Sequence, residues 1–428
     1  MKQEERHFET EMAVVGTGIA GVAASIFALN RGIKVSLTGN TGALAYTTGY
    51  LDLLGSLEKD NYSKVEDPWQ AVSTLHTDDL DHPLAGIEPD QIRDAFQEFT
   101  SFISDCGIAY TAPGSLNLEA LSPVGTIKKT LCVPQTMRAG VAAYAKKSKC
   151  LIVDFKGLRG FSGAQIVANM GTDWPGLRRT RIKVPDMHHK EIYSEVLART
   201  LEVDQHRQAF AEVVKKVVDD AEVIGMPAVF GMHEPDKIMA SLEQLIGIPL
   251  FEIPTMPPSV PGIRLREMVE QYFPQKGMTL IPQQKVTSIE FDDDAAVLHL
   301  SDNYGPIRIT AKTVVLATGR FISGGLEAKV DGIKEPLLNL PLFQPENRDQ
   351  WYQQQYMGKT GHEVHKAGVM TDALFRPIDN EGRPVNKGLF AAGILLAHQD
   401  WIRSRSGAGI AIATAYKAVE SAVSLLAQ

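Results

Sequence analysis

Near its start the chain carries a short apolar run, Glu11-Met12-Ala13-Val14-Val15, that breaks directly into Gly16-Thr17-Gly18-Ile19-Ala20-Gly21. A run apolar on both faces predicts a strand buried inside a parallel sheet. The next stretch, Ile19 to Arg31, is rich in alanine and ends at Gly32, which predicts a helix with a C-terminal glycine. Ile33 to Leu37 predicts a second strand, so the whole is a βαβ unit with a GxGxxG turn between strand and helix. In that context each glycine has a separate task. Gly16 permits the tight turn, Gly18 lets the backbone approach a pyrophosphate, and Gly21 lets helix and strand pack closely. The amides and dipole of the helix start then stabilise the phosphate charge, with Ile19 and Ala20 in its first turn.

A dinucleotide fold usually places Asp or Glu about 20 residues onward to bind the ribose. This chain has Thr38-Gly39-Asn40 there, and no carboxylate before Asp52. Either Thr38 or Asn40 then binds the ribose, with Gly39 between them in the expected cofactor-binding set, or the adenosine half is held weakly; in both cases ordinary NAD recognition is disfavoured. Further on, Tyr46-Thr47-Thr48-Gly49-Tyr50 sets small hydroxyls beside a glycine, a pattern suited to phosphate oxygens or the edge of a flavin. Near the C-terminus, Gly388-Leu389-Phe390-Ala391-Ala392-Gly393 is followed by Ser406-Gly407-Ala408-Gly409 opening a helix. That second glycine-rich helix start supplies donors for the pyrimidine end of a flavin. Both FAD and the mononucleotide FMN stay open at this point.

Between these ends the pattern changes. From Pro68 to about Thr255, helical stretches (Gln91 to Cys106, Gln135 to Lys147, Lys190 to Ala198, Gln205 to Ala221) alternate with loops and short strand-like runs. This predicts an inserted helical or α/β cap domain over 68–255, with 1–67 and 256–428 forming one discontinuous flavin-binding domain. Pro254, Pro257, Pro258 and Pro261 predict a stiff return linker. After a helix over Gly262 to Tyr272, the segments 279–281, 285–291, 296–301 and 306–310 read as an antiparallel meander. Lys312 to Ala317 reads as a further strand ending in Thr318-Gly319-Arg320, and Phe321 to about Val369 as a second insertion. Val286, Ala317, Thr318, Gly319 and Gly393 complete the expected cofactor-binding set. The fold class is α/β: a Rossmann-like FAD/NAD(P)-binding domain, parallel sheet plus antiparallel meander, with an inserted cap.

Charged residues cluster just before the closing helix: His398, Asp400, Arg403 and Arg405. Placed beside a flavin ring, His398, Arg403 and Arg405 are the candidates for binding an anionic substrate or tuning the ring. His362 and His365 stand three apart, without the carboxylate pattern of a metal site, and His188-His189 reads as surface.

Composition excludes several classes. A net charge of −8 and a pI near 5.8 argue against nucleic acid, which needs a basic surface. Cys106, Cys132 and Cys150 lack CxxC spacing, so an iron–sulfur cluster held by this chain alone is not expected. Met1 to Thr10 is polar, without the apolar core of a secretory signal, and no run approaches about 18 uninterrupted apolar residues. The expectation is a cytoplasmic protein that meets a membrane only through partners, peripherally at the inner face of the cell membrane.

The ordered set of motifs resembles flavoproteins of the fumarate reductase and succinate dehydrogenase superfamily, where an N-terminal GxGxxG and a C-terminal GLFAAG segment share one flavin. More closely it resembles the B-subunit family of anaerobic glycerol-3-phosphate dehydrogenases. Gly16 to Gly21, Thr48 to Leu54, Pro257 to Leu265, Ala317 to Arg320, Thr371 to Pro377 and Gly388 to Gly409 carry the likeness, in order. The resemblance implies a flavin-binding subunit beside a catalytic flavoprotein subunit and an iron–sulfur, membrane-docking subunit. It implies oxidation of sn-glycerol 3-phosphate to dihydroxyacetone phosphate, with electrons passed towards menaquinone. The chain departs from the superfamily at Ile394, where an acidic residue usually follows the AAG. Two other readings stand beside it: a self-sufficient flavin oxidoreductase acting on another organic acid or a quinone, and a redox-silent flavin-binding assembly subunit.

Overall fold

The computed structural model describes residues 5–39, 41–57, 63–185, 187, 191–292, 294–356, 358 and 361–428, and the side chains of 41 and 42 are left aside. Asn40, His188, His189 and the predicted helix start Lys190 therefore lie outside the described residues. Two compact units emerge: 1–43, 52–99 and 269–428 form the first, and 44–51 with 100–268 the second. Both are interleaved in sequence, as the predicted domains are, but the division falls elsewhere. Residues 68–99 belong to the first unit rather than to an insertion, while 44–51 and 256–268 belong to the second.

The first unit is built on strands β1 (Arg6–Val15), β2 (Val35–Gly39), β3 (Thr279–Pro282), β4 (Ser288–Phe291), β5 (Ala296–Asp302), β6 (Gly305–Leu316) and β7 (Leu389–Ala391). They form one seven-stranded sheet in the order β3-β2-β1-β6-β5-β4, with β7 beside β6. Strands β3, β2, β1, β6 and β7 are mutually parallel; β5 pairs antiparallel with β6, and β4 antiparallel with β5. Two expectations are corrected. The segment 279–281 is not part of the meander, because Thr279–Pro282 pairs in parallel with Ser36–Gly39. The runs 306–310 and 312–317 are one continuous strand, which pairs with β1 along nearly its whole length. β6 has alternating burial where β5 covers it, then the fully buried Thr313–Leu316, where β7 takes over.

Helices α1 (Ile19–Asn30) and α2 (Gly407–Leu426) lie side by side in this unit. Alanine dominates their facing surfaces, so the backbones approach closely, and Phe27 meets Tyr416 edge-on at 5.1 Å. Arg31 closes the pair by binding Glu98 and Glu420. α2 is long and apolar enough to cross a membrane, but 61% of its apolar window is buried in the core.

The second unit contains a four-stranded, wholly parallel sheet in the order Leu250–Ile253, Val223–Pro227, Cys150–Phe155, Leu177–Ile182. Its central strand is buried on both faces. Leu151, Val153 and Phe155 enter one apolar cluster with Leu197, Phe210 and Val214, while Cys150 and Ile152 enter another with Ile166, Met170 and Trp174. Helices Gly163–Met170, Ser194–Leu201, Asp204–Lys215 and Pro235–Ile246 are its crossovers. The expected stiff linker is shorter than its prolines suggest, because helix Val260–Gln275 already contains Pro261 in its first turn.

Candidate functional site

Three strand ends of the first unit converge on the glycine-rich turn. The Gly16 amide donates to Thr38 O at 2.7 Å, and the Ala317 amide donates to Val15 O at 2.8 Å. The turn is therefore stitched to β2 on one side and to the end of β6 on the other. Gly16 has φ +118, and a Cβ there would lie 2.2 Å from Ala317 O. A Cβ on Gly21 would lie 1.7 Å from Gly16 O, so that glycine is demanded by packing of α1 on the turn. Gly18 differs from both. Its φ is −77, and an added Cβ would meet nothing within 4 Å. The space over Gly18 is open, where the first-turn amides of α1 point without intrahelical acceptors.

Hydroxyls line this cradle without partners. Thr17 Oγ1, Thr38 Oγ1, Thr318 Oγ1 and Ser406 Oγ are buried and have no hydrogen-bond partner among the described residues. Buried polar atoms are normally paired, so four orphans around two glycine-rich helix starts fit a polar ligand such as a dinucleotide. Gly39 has φ +145, and a Cβ on it would crowd the Gly16 and Thr17 backbone at 3.0–3.1 Å. Gly393, at φ +79, donates its amide to Thr414 Oγ1 at 2.8 Å, and a Cβ there would meet Ala20 at 2.6 Å. The GLFAAG turn thus lies against the start of α1. Ala20, Ala317 and Ala411 share a small apolar cluster with Ile19, which brings the starts of α1 and α2 and the end of β6 together. Val286 is buried in the link after β3, whose end adjoins Gly39.

Other expected cofactor residues have packing partners of their own, and Thr47 Oγ1 is a further buried atom without a partner among the described residues. The Gly409 amide donates to Asp52 O at 2.6 Å, and its Cα packs against Leu53. Gly407 sits against the Trp401 ring, leaving Ala408 between them in the first turn of α2. Thr47, Thr48 and Gly49 belong to the second unit. There Thr47 O accepts from Ser259 Oγ, Thr48 Oγ1 accepts from the Tyr50 amide, and Gly49, at φ +83, packs against Pro261.

Arg320, quoted in the sequence only as the end of a strand motif, organises the region. Its guanidinium is buried and donates to four backbone carbonyls: Ile394 at 2.5 Å, Leu396 at 3.0 Å, Gln399 at 3.1 Å, and His365. Burial lowers its pKa to about 10, against the pull of Asp400, so it stays charged at neutral pH. One side chain therefore ties the end of β6 to the GLFAAG turn and to the 363–366 turn. The sequence signal available was an arginine directly after Ala317-Thr318-Gly319.

The three candidate catalytic residues have separate neighbours. His398 adopts φ +59 and stacks on Phe343 with ring centroids 4.1 Å apart. Its pKa is lowered by burial, opposed by Asp81 and Asp79. Arg403 donates to Tyr356 O at 3.3 Å and stands 3.9 Å from Asp400. Arg405 ends its short helix in the left-handed conformation, φ +50. Asp400 instead meets His365, Oδ2 to Nδ1 at 3.2 Å, and caps the Trp401–Ser404 turn through the Arg403 amide. Burial pushes the Asp400 carboxyl up, but His365 and Arg403 outweigh it and hold it below its ordinary value. His362 is engaged at both ring nitrogens: its Nδ1 accepts from the Gln353 amide and its Nε2 bonds Tyr356 O.

Beside His398 lies His82, buried, whose Nδ1 accepts from the Leu84 amide. Burial first, then His398, pushes its pKa from 6.5 down to about 4. The unfolded chain takes up this proton near pH 6.5 and the folded chain does not, so stability falls as pH drops between about 6.5 and 4. Wild type is expected to lose about 2 kcal/mol from this group between pH 7.5 and 5, and His82→Gln to lack that component. Urea denaturation at both pH values reads the difference.

Residues 11–410 match the FAD binding domain family. The chain is 30% identical to the B subunit of the anaerobic glycerol-3-phosphate dehydrogenase of Vibrio cholerae, over 98% of this chain and 97% of that one. It is 26% identical to the Yersinia pestis protein of the same description, over 97% and 99%. A solved 3-ketosteroid-delta4-(5alpha)-dehydrogenase from Rhodococcus jostii aligns over 98% of this chain and 97% of that chain, at 13% identity and a TM-score of 0.44. The cofactor is FAD, and the chain is a flavin-dependent oxidoreductase that belongs to the FAD binding domain family and, within it, to the B subunits of anaerobic glycerol-3-phosphate dehydrogenase.

Proposed function

We propose that this chain is the flavin-binding subunit of a complex that oxidises sn-glycerol 3-phosphate to dihydroxyacetone phosphate and passes the electrons towards a quinone. The observation that carries this reading is the end-to-end similarity to B subunits, over 98% of the chain. FAD supplies a two-electron acceptor when bound. The residues that hold it are Gly16, Gly18, Ile19 and Ala20 at the phosphates, Thr38 at the ribose side, and the 393–408 region at the ring end, where Arg320 fixes the loop. Its three cysteines are buried and separate, which leaves any iron–sulfur cluster to a partner. The partners we assign are a catalytic flavoprotein subunit and an iron–sulfur subunit that docks on the membrane, with this chain at the cytoplasmic face.

Co-expression of the chain with its neighbouring subunits tests the reading. The purified complex is expected to reduce a quinone analogue with sn-glycerol 3-phosphate, and to lose that activity when this chain is omitted. Equal turnover without this chain contradicts it.

A further inference from the structure

The strongest unassigned feature is the pair of His365 and Asp400, and its significance rests on bonding logic. A carboxylate oxygen only accepts, so the 3.2 Å contact places a proton on His365 Nδ1, and in the neutral ring the lone pair then lies on Nε2. Among the described residues no partner engages Nε2, and the side chain is 26% exposed. The carboxylate behind it is 3% exposed and fixed in place by the Arg403 amide and, at 3.9 Å, the Arg403 guanidinium. The backbone of His365 is fixed as well, because its carbonyl accepts from Arg320. Arg320 also binds the carbonyls of Ile394, Leu396 and Gln399, so the ring is anchored to the same loop that closes on α1. His362 stands edge-on to it at 5.3 Å, and neighbouring Glu363 and Lys366 pair with each other. A histidine with its tautomer set by a buried carboxylate and its other nitrogen accessible is arranged as a general base.

We propose that His365 Nε2 takes the hydroxyl proton of an alcohol oxidised on this chain, with Asp400 as the residue that positions the ring. The inference rests on the glycerol 3-phosphate reading above and departs from its division of labour in one respect: the substrate is oxidised on this subunit too, beside the catalytic flavoprotein partner. The O–H proton moves to Nε2, the carbon's hydrogen leaves with its electron pair to FAD, and the C–O bond becomes a carbonyl. A secondary alcohol is thereby oxidised to a ketone, and the two electrons and both hydrogens are accounted for. Nothing in the step requires a metal.

The test uses the full-length, FAD-loaded chain alone and in the complex. Anaerobic mixing with sn-glycerol 3-phosphate is followed by bleaching of the flavin absorbance. The isolated wild type should bleach, and His365→Gln and Asp400→Asn should bleach about 100-fold more slowly or worse with unchanged FAD content. Asp400→Asn keeps a side chain able to cap the turn, but its amide can donate to Nδ1 and drive the proton onto Nε2. Nitrogen-15 spectra of the imidazoles, assigned by the His365→Gln difference, should therefore show the Nδ1–H tautomer in wild type and its reversal in Asp400→Asn. An Nε2–H tautomer in wild type, or variants that bleach at the wild-type rate, overturns the dyad. Bleaching in the complex but not in the isolated chain also overturns it, while leaving the glycerol 3-phosphate reading intact. No bleaching in either overturns that reading and this one together.

Discussion

Gly18→Val is expected to fold like wild type and to purify without flavin. The backbone at Gly18, φ −77 and ψ −175, is extended and open to any residue, including a β-branched one. A Cβ there meets nothing within 4 Å, so the chain itself has no objection to the valine. What the valine occupies is the space over the first turn of α1, where the proposed site holds the FAD pyrophosphate against the amides. A clash of about 3 kcal/mol weakens FAD binding about 100-fold, and the lost phosphate contacts add to that. Gly21→Ala gives the opposite pattern. Its Cβ would stand 1.7 Å from Gly16 O, so helix and turn must part and the first unit loses more than about 3 kcal/mol. Flavin absorbance per chain and the melting temperature of the flavin-free proteins separate the two. Wild-type flavin content in Gly18→Val contradicts the placement.

Breaking the ion pair at the heart of the second unit should be the costliest single change to stability. Glu252 and Arg264 are 0% and 1% exposed and bind through two contacts, at 2.7 and 2.8 Å. The remaining capacity is filled: Glu252 accepts from Thr136 Oγ1 and the Phe230 amide, and Arg264 donates to Gly231 O. Arg264→Met leaves a carboxylate buried and uncompensated, at a cost of about 3–5 kcal/mol. Adding Glu252→Gln to that variant should recover part of the loss, since the stranded charge is gone. Urea denaturation of the two variants measures both effects. Burial pushes the Glu252 carboxyl up, but Arg264 and the hydrogen bonds outweigh it and hold it below the ordinary 4.5. A depressed carboxylate contributes its stability above pH about 4.5, and that contribution is lost as pH falls through its folded value. The loss should be absent in the doubly substituted protein.

The geometry of the glycine-rich turn was legible because local sequence dictates it. A strand–glycine–helix turn needs no distant contact to be recognised, so Gly16, Gly18 and Gly21 are found where the spacing puts them. What the spacing alone does not separate is the role of each, since only the surroundings distinguish a glycine that faces packed backbone from one that faces open space. Gly49 and Gly409 illustrate the same ambiguity: they read as ligand contacts, and a Cβ on them would meet Pro261 and Leu53. Strand pairing is non-local, which is why Thr279–Pro282 could be read as meander when it pairs with β2. His365 and Asp400, thirty-five positions apart, meet only through the Arg320-bound loops, and no periodicity announces that. The domain division is obscured for the same reason, because the segment 68–99 looks like the helices that follow it but belongs to the other unit.

The central claim is that one FAD sits on the cradle formed by Gly16 to Gly21 and the ends of β1, β2 and β6. Denaturing release of the flavin from the purified chain, with its mass and its ratio to protein, tests this most directly. The account predicts FAD at one per chain in wild type and none in Gly18→Val. FMN in place of FAD, or a wild-type chain that takes up no flavin on reconstitution, would contradict it.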